Sequence, residues 1–122
     1  MAGSRILVVD DDVRSLYAIR SVLEDEGAHV IIAENGKHCL KALLAHEVDL
    51  LILDLMMPGM HGYEVMEYIR KRPQHKSLPI IVLTAKALEG DREKCIQAGA
   101  TAYISKPVDN KHLLDVIQQH LP

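Results

Sequence analysis

Five short apolar runs alternate with five amphipathic segments along this chain, and that alternation limits the possible folds more than any other feature. The runs cover residues 6–9, 30–33, 50–53, 80–83 and 102–104. Unbroken apolar runs of this length are typical of parallel strands that are covered on both faces. After each run, apolar residues recur at three- and four-residue spacing, which predicts a helix with one buried face.

The sequence also predicts where several of the five helices begin or end and which of their residues face the core. Asp12 is the expected N-cap of the first helix and Gly27 its C-terminal stop. The third helix must end near Arg72-Pro73, because proline disfavours a helical residue before it, and the fourth near Ala98-Gly99. The apolar residues predicted to face inward are Val13, Leu16, Ile19 and Leu23; Leu40, Leu43 and Leu44; Val65, Met66 and Ile69; Leu88, Cys95 and Ile96; and Leu113, Leu114, Ile117 and Leu121.

Five strand-then-helix units predict an α/β fold with a parallel sheet and helices on both faces. A closed barrel of this type takes eight strands, so five units favour an open, doubly wound sheet. We therefore predict a flavodoxin-like (βα)5 fold with strand order 2-1-3-4-5. Residues 1–122 are expected to form a single domain with an ordered core over 5–121.

The composition excludes several classes of protein. A formal net charge of -3 gives no electrostatic basis for binding nucleic acid. No apolar run approaches the ~20 residues of a membrane-spanning helix, so we expect no membrane insertion by this chain. The two cysteines, Cys39 and Cys95, lie far apart in sequence, which implies neither a disulfide framework nor a zinc site. A reducing, cytoplasmic location is the simplest expectation.

Polar residues follow the predicted strands at one edge of the sheet. Asp10 and Asp11 follow the first strand, and Asp54 follows the third. The order 2-1-3-4-5 makes those two strands neighbours, so the carboxylates should lie side by side, outside the carboxyl ends of the strands where α/β proteins bind ligands. Thr84 and Lys106 follow the fourth and fifth strands and should lie on the same edge.

Three neighbouring carboxylates repel one another, so the arrangement calls for a cation. Oxygen ligands without nearby Cys or His suit Mg²⁺, which also accepts a phosphate oxygen. Lys106 adds a positive charge and Thr84 a hydroxyl donor, and together these groups can stabilise a phosphoryl group in transfer. Asp54 is then the expected nucleophile, forming an acyl phosphate.

Four segments, ILVVDDD, LDLMMPGMHGYE, IIVLTA and AGATAYISKP, occur in an order and at distances that resemble the receiver domain of response regulators in two-component phosphorelay signalling. The likeness covers essentially the whole chain. It implies that Asp54 accepts phosphate from a phosphohistidine on a histidine kinase or a histidine phosphotransfer protein. It also implies that Asp10, Asp11 and Asp54 hold Mg²⁺ together with the backbone carbonyl of Met56.

The resemblance assigns further roles. Thr84 and Lys106 would contact the phosphoryl oxygens, and the small Ala85 would leave room for them. Tyr103 would be an aromatic switch, and the Lys106-Pro107 bond would be cis. The resemblance also allows a homodimer of this chain that forms on phosphorylation.

His61 departs from the family, which commonly has aspartate there, and we expect it to affect the loop or partner binding and not activity. Partner choice is expected to depend on exposed residues such as Arg14, Tyr17, Val108 and Asp109. The chain also resembles, in a general way, the receivers that are attached to hybrid sensor histidine kinases. Whether it is the receiver of such a kinase or a stand-alone regulator is left open by this resemblance. We do not expect a turnover enzyme by itself.

Three alternatives compete with a receiver. An aspartyl-phosphate phosphatase would need a second acid two residues after its nucleophile, where this chain has Met56. A flavodoxin would need a glycine- and hydroxyl-rich phosphate loop after the first strand, where this chain has three acids. A phosphate-independent pseudo-receiver, acting only as an interaction module, would be expected to lack one of the five key residues. This chain has all five, namely Asp10, Asp11, Asp54, Thr84 and Lys106.

Overall fold

The structure, a computed structural model, describes residues 1–57, 62–85 and 91–122. The strands are β1 (Arg5–Val9), β2 (His29–Ala33), β3 (Leu50–Asp54), β4 (Ile80–Thr84) and β5 (Ala102–Ser105); the helices are α1 (Val13–Asp25), α2 (Gly36–Ala45), α3 (Gly62–Lys71), α4 (Asp91–Ala98) and α5 (Asn110–His120), with a 3₁₀ turn over Pro73–His75. Each strand is one residue longer than predicted, because a polar residue at its end still joins the backbone ladder.

The strands form one parallel sheet in the order β2-β1-β3-β4-β5, which confirms the predicted topology. Helices α2, α3 and α4 cover one face and α1 and α5 the other. Alternate strand residues supply the two cores: Leu7, Val9, Leu51, Leu53, Ile80 and Val82 point toward α2, α3 and α4, and Ile6, Val8, Leu50, Ile52, Ile81, Leu83 and Ile104 point toward α1 and α5. No described helix is long and apolar enough to span a bilayer.

The predicted inner faces of the helices are partly wrong. Val13, Leu44 and Ile96 were expected to face inward, but they are 46%, 65% and 44% exposed. Leu44 and Ile96 directly follow the buried residues Leu43 and Cys95. Successive helical residues are rotated by ~100°, so the residue after a buried one can lie at the edge of the inner face, as Leu44 and Ile96 do. On α3, by contrast, the adjacent Val65 and Met66 are both buried. Val13 begins α1, ahead of the turns that pack on the sheet. Leu88 lies outside the described residues.

The helix ends follow the sequence signals. The side chain of Asp12 accepts a hydrogen bond from the Arg14 amide and caps α1. Gly27 follows α1 with a φ of +89°, a conformation that favours glycine. The loop predicted at 34–36 instead contains Asn35 as the N-cap of α2, whose side chain accepts from the His38 amide.

Arg70 ties α3 to the end of α4. Its Nη2 and Nε atoms donate to the carbonyl oxygen of Gly99 at 2.6 and 3.0 Å, and Nη1 donates to the carbonyl of His75 at 2.9 Å. A Cβ atom on Gly99 would lie only 2.8 Å from the Arg70 Cγ atom, and Gly99 also has a φ of +119°. The contact therefore depends on glycine at this position.

Candidate functional site

Three carboxylates meet at the carboxyl edge of the sheet. Asp10, Asp11 and Asp54 each present one oxygen, and these oxygens lie within 4.8 Å of one another. The pairing of Val9 with Leu53 places the ends of β1 and β3 side by side. Asp10 and Asp54 are buried, whereas Asp11 is exposed. The acids expected to meet therefore do so, with two inside the protein and one at its surface.

Asp54 is the last residue of β3 and is only 3% exposed. Its Oδ1 atom accepts a hydrogen bond from the Met56 amide at 3.1 Å. Burial raises the pKa of Asp54 to about 6; the Met56 amide opposes this shift, the charge of Asp10 adds to it, and Lys106 opposes it. The carboxylate is thus held in an environment that disfavours its charge unless a further cation is present.

Lys106 supplies a cation to both buried acids. Its Nζ atom lies 3.3 Å from Asp10 Oδ2 and 3.5 Å from Asp54 Oδ2. Burial on its own would lower the pKa of Lys106, but the attraction of Asp54 and Asp10 outweighs burial and raises it. The Lys106-Pro107 bond is cis, in agreement with what the resemblance implies.

The donor set suits a hard cation. Asp10 Oδ1 accepts from the Asp12 amide at 2.9 Å, while its Oδ2 faces Lys106, so each buried acid is anchored by one amide and one ammonium group. The remaining lone pairs of Asp10 and Asp54, with those of the exposed Asp11, are oxygen ligands of the kind that Mg²⁺ prefers. These residues fit the expected metal.

Thr84 and Tyr103 lie on the opposite face from Asp54. Asp54 pairs with Leu83, whose side chain points toward α1 and α5. Tyr103 pairs with Val82, whose side chain points toward α2, α3 and α4, and Thr84 follows the same alternation. Thr84 is fully buried, and Tyr103 is partly buried against the core. Ala85, just beyond β4, is exposed.

A cleft of about 240 Å³ adjoins Lys106 on the α1 and α5 side. Its lining includes Ser15 and Ile19 of α1 and Pro107 and Val108 of the β5–α5 loop. Tyr17 is 51% exposed on α1, and Arg14 and Asp109 are exposed as well. Of the residues expected to govern partner choice, Val108 therefore lines this cleft, whereas Arg14, Tyr17 and Asp109 are exposed and adjoin lining residues in the sequence.

The two methionines that closely follow Asp54 differ in burial. Met57 is 2% exposed and packs in the core, whereas Met56 is 44% exposed. His61, Met60 and Lys86 lie outside the described residues. Sequence reasoning missed a hydrogen bond between Tyr63 and Cys95, which are 32 positions apart. No local sequence signal could have identified this pair, because it depends on how α3 and α4 pack.

The family model described as "Response regulator receiver domain" matches residues 6–118. The chain is also 42% identical over 120 residues to the 14.6 kDa protein from the sodA1 3' region of Leptolyngbya boryana, covering 98% of this chain and 92% of that protein.

Two further comparisons are informative. The chain is 35% identical over 116 residues to the sensor protein GacS of Pseudomonas syringae pv. syringae, which covers 93% of this chain but only 13% of GacS. The solved structure of the chemotaxis response regulator CheY4 of Vibrio cholerae superposes with a TM-score of 0.92 at 29% identity, over 98% of this chain and 100% of that one. Relatives of similar length and much longer sensor proteins thus both contain this fold.

Proposed function

This chain belongs to the response regulator receiver family of two-component signalling, and we propose that it accepts a phosphoryl group from a phosphohistidine onto Asp54 in a Mg²⁺-dependent reaction. The observation that carries the proposal is the arrangement of three carboxylate oxygens within 4.8 Å of one another, with the ammonium of Lys106 at 3.5 Å from Asp54. This combination of acids and one cation is suited to phosphoryl transfer.

Asp10, Asp11 and Asp54 would hold the metal, with the backbone carbonyl of Met56 as a further ligand. Mg²⁺, when bound, would neutralise negative charge on the phosphoryl oxygens. The buried position of Asp54 keeps bulk water away from its carboxylate, and the Met56 amide fixes one of the two oxygens. The other oxygen, Oδ2, is the one that faces Lys106 and is our choice for the attacking atom.

In the proposed reaction an oxygen of Asp54 attacks phosphorus as the bond from phosphorus to the donor's imidazole nitrogen breaks. The nitrogen keeps the electron pair of that bond, and the product is an acyl phosphate on Asp54. Lys106 stabilises the charge on the transferring group, and the Thr84 hydroxyl donates to one of its oxygens. The small side chain of Ala85 leaves space beside Thr84.

The donor is a histidine kinase or a histidine phosphotransfer protein, which we place on the cleft between α1 and the β5–α5 loop. The cleft is lined in part by Lys106 and Val108. Both cysteines are free and buried, which is compatible with the reducing cytoplasm where we place the chain. A homodimer formed on phosphorylation remains part of the proposal.

Phosphorylation would be read out through Thr84 and Tyr103. A phosphoryl group that accepts a hydrogen bond from Thr84 draws the hydroxyl toward Asp54 and away from the face on which Tyr103 lies. The Tyr103 ring then has room to turn inward, which changes the outer surface near α4, β5 and α5. A hydrogen bond to a charged group is worth ~1.5 to 3 kcal/mol, enough for a tenfold to hundredfold shift between two states.

Mass spectrometry after incubation with Mg²⁺ and acetyl phosphate tests the proposal directly. The chain should gain the mass of one phosphoryl group, located on the peptide containing Asp54, and Asp54→Asn should gain none. Asp49→Asn, at the other end of β3, is the matched control and should be phosphorylated normally. Equal labelling of wild type and Asp54→Asn, or labelling that persists when Mg²⁺ is chelated, would contradict the assignment.

The acyl phosphate should also be comparatively long-lived. Hydrolysis requires a water in line with the phosphorus, and a carboxylate near that path would activate it. Met56, two residues after Asp54, and Lys86, two residues after Thr84, provide none. Loss of the phosphorylated species within seconds of donor removal would contradict this part of the proposal.

A further inference from the structure

A hydrogen bond joins α3 to α4 next to the switch residue. The hydroxyl of Tyr63, the second residue of α3, lies 3.7 Å from the Sγ atom of Cys95 in α4, and either atom can donate. Cys95 is fully buried, and Tyr63 is partly buried against the same core. We call this contact the Tyr63–Cys95 bridge. A buried tyrosine hydroxyl needs a polar partner, and Cys95 supplies it.

The bridge lies in the same neighbourhood as Tyr103. Helix α4 packs against both α3 and β5, and the side chains of Tyr63 and Tyr103 pack on the core cluster that contains Cys95. Burial, followed by the charges of Asp91 and Cys95, raises the pKa of Tyr103. Burial, Cys95, Asp91 and Tyr103, in that order, raise the pKa of Tyr63 to about 12.

We propose that the Tyr63–Cys95 bridge positions the inner surface of α4 beside Tyr103 and so sets the balance between the orientations of the Tyr103 ring. Tyr63 is then a positioning residue for the switch, although it lies on α3, Tyr103 lies on β5, and Tyr63 does not belong to the acidic site. This inference rests on the proposed role of Tyr103 in signal readout.

The expected effect is modest, because a thiol is a weak donor and a weak acceptor. Without the hydroxyl, α4 loses one link to α3, and the space available to the Tyr103 ring is no longer fixed by Cys95. The ring should then redistribute between its orientations by a factor of about 2 to 5, which corresponds to the loss of one weak hydrogen bond. Phosphorylation at Asp54 should be unaffected, because neither bridge residue touches the acids or Lys106.

The chain offers a matched control for each half of the bridge. Tyr63→Phe removes only the hydroxyl, and Tyr68→Phe removes the hydroxyl of a tyrosine on the same helix that is 54% exposed. Cys95→Ala removes the thiol, and Cys39→Ala removes the other fully buried thiol, which faces the same core from α2. Phosphoryl addition at Asp54 is measured by mass on every variant.

The measurement is the aromatic NMR signal of Tyr103, assigned by its loss in Tyr103→Phe. Tyr63→Phe and Cys95→Ala should each move it in the same direction, and the double variant should move it no further than the larger single change. Tyr68→Phe and Cys39→Ala should leave it in place. An unmoved Tyr103 signal in Tyr63→Phe would overturn the inference, as would an equal movement in Cys39→Ala, which would reveal a general packing effect.

The readout on unphosphorylated protein keeps this test separate from the proposed function. Failure of the wild type to gain a phosphoryl group would overturn the proposed function, whereas the Tyr103 signal of the unphosphorylated variants would still decide the role of the bridge. If Cys95→Ala does not fold, as judged by circular dichroism, the comparison of Tyr63→Phe with Tyr68→Phe decides it alone.

Discussion

The ammonium group of Lys106 lies 3.3 Å from the carboxylate of Asp10, an ion pair between residues 96 positions apart in the sequence. Asp10 is fully buried, and Lys106 is 26% exposed at its side chain. Asp54 shares the same ammonium at 3.5 Å. One cation thus offsets two buried negative charges, which leaves the site short of positive charge in the absence of a metal.

Replacing Lys106 with methionine should destabilise the protein, because it leaves Asp10 and Asp54 without their cation. Breaking a fully buried pair costs about 3 to 5 kcal/mol, and the partial exposure of Lys106 reduces the expected loss to about 1 to 3 kcal/mol. Mg²⁺ should restore part of it. Urea unfolding with and without Mg²⁺ measures both effects, with the exposed Lys111→Met as the control. A loss of stability that Mg²⁺ does not reduce would contradict a shared cation site.

The raised pKa of Asp54 predicts a pH dependence of folding. Because the folded pKa is about 6 and the ordinary value is 3.8, the folded protein holds a proton between these pH values that the unfolded chain has released. Stability from this group is therefore lost as pH rises from about 4 to about 6. Asp54→Asn removes this dependence and should be about 1 to 3 kcal/mol more stable than wild type at pH 7 without Mg²⁺. An unchanged slope in urea unfolding across this window would refute the prediction.

The same pKa should govern phosphorylation at low Mg²⁺. The nucleophile is the carboxylate form of Asp54, so the rate with acetyl phosphate should fall about tenfold per pH unit below about 6. Added Mg²⁺ favours the charged form and should move the midpoint to lower pH. Rates measured by mass at several pH values, at low and saturating Mg²⁺, check this. Identical midpoints at both concentrations would argue against metal binding beside Asp54.

Asp11→Ala should separate metal binding from folding. Asp11 is exposed, so its removal should change stability by no more than about 0.5 kcal/mol without Mg²⁺. Mg²⁺ affinity should fall at least about tenfold, because one of three clustered carboxylates is lost. Calorimetric Mg²⁺ titration tests the affinity, and the exposed Asp115→Ala on α5 is the control. An unaltered affinity would remove Asp11 from the proposed ligand set.

Gly62→Ala should damage both stability and the site. A Cβ atom there would lie 2.9 Å from the Leu55 Cα atom and 3.2 Å from the Asp54 carbonyl oxygen, so the start of α3 and the backbone of Asp54 and Leu55 would be pushed apart. Such overpacking costs about 1 to 3 kcal/mol. Phosphorylation should slow as well, since the displaced backbone carries Asp54. Gly3 has a φ of +80°, but an added Cβ atom there would meet no atom within 4 Å. Gly3→Ala should therefore lower stability without slowing phosphorylation. A normal phosphorylation rate in Gly62→Ala would contradict this reading.

Thr84→Ala should uncouple phosphorylation from its readout. Asp54 should still be phosphorylated, but the change in the Tyr103 NMR signal on phosphorylation should weaken, because the hydroxyl that we propose couples the phosphoryl group to Tyr103 is missing. Partner affinity should respond less to phosphorylation for the same reason. The same Tyr103 shift with and without the Thr84 hydroxyl would show that the coupling does not exist.

The strands and the site were predictable because each depends on local patterns that the fold combines simply. Uninterrupted apolar runs identified all five strands, and parallel strands bring their carboxyl ends to one edge, which placed Asp10, Asp54 and Lys106 together. The comparisons confirm the receiver family that the motifs resemble. The roles of the individual residues stay predictions until the variants above are measured.

The remaining features depend on packing that a sequence does not display. Leu43 and Leu44 are adjacent apolar residues, yet Leu43 is buried and Leu44 is exposed. Only the rotation of α2 relative to the sheet determines which of the two faces the core. The exposure of Asp11 beside the buried Asp10 has a similar origin in the turn after β1. The contact between Arg70 and Gly99 joins backbone and side chain across 29 positions and leaves no local pattern.

The ion pair that spans 96 positions also bears on how the site arises during synthesis. During translation Asp10 and Asp54 are synthesised long before Lys106. The two acids therefore lack their ammonium partner until β5 and the residues after it have been made. Mg²⁺ in the surrounding solution is available throughout and, on the proposed function, would bind the acids first. Circular permutation changes the order of translation, and in a permutant that opens between β3 and α3 Lys106 would be synthesised before either acid.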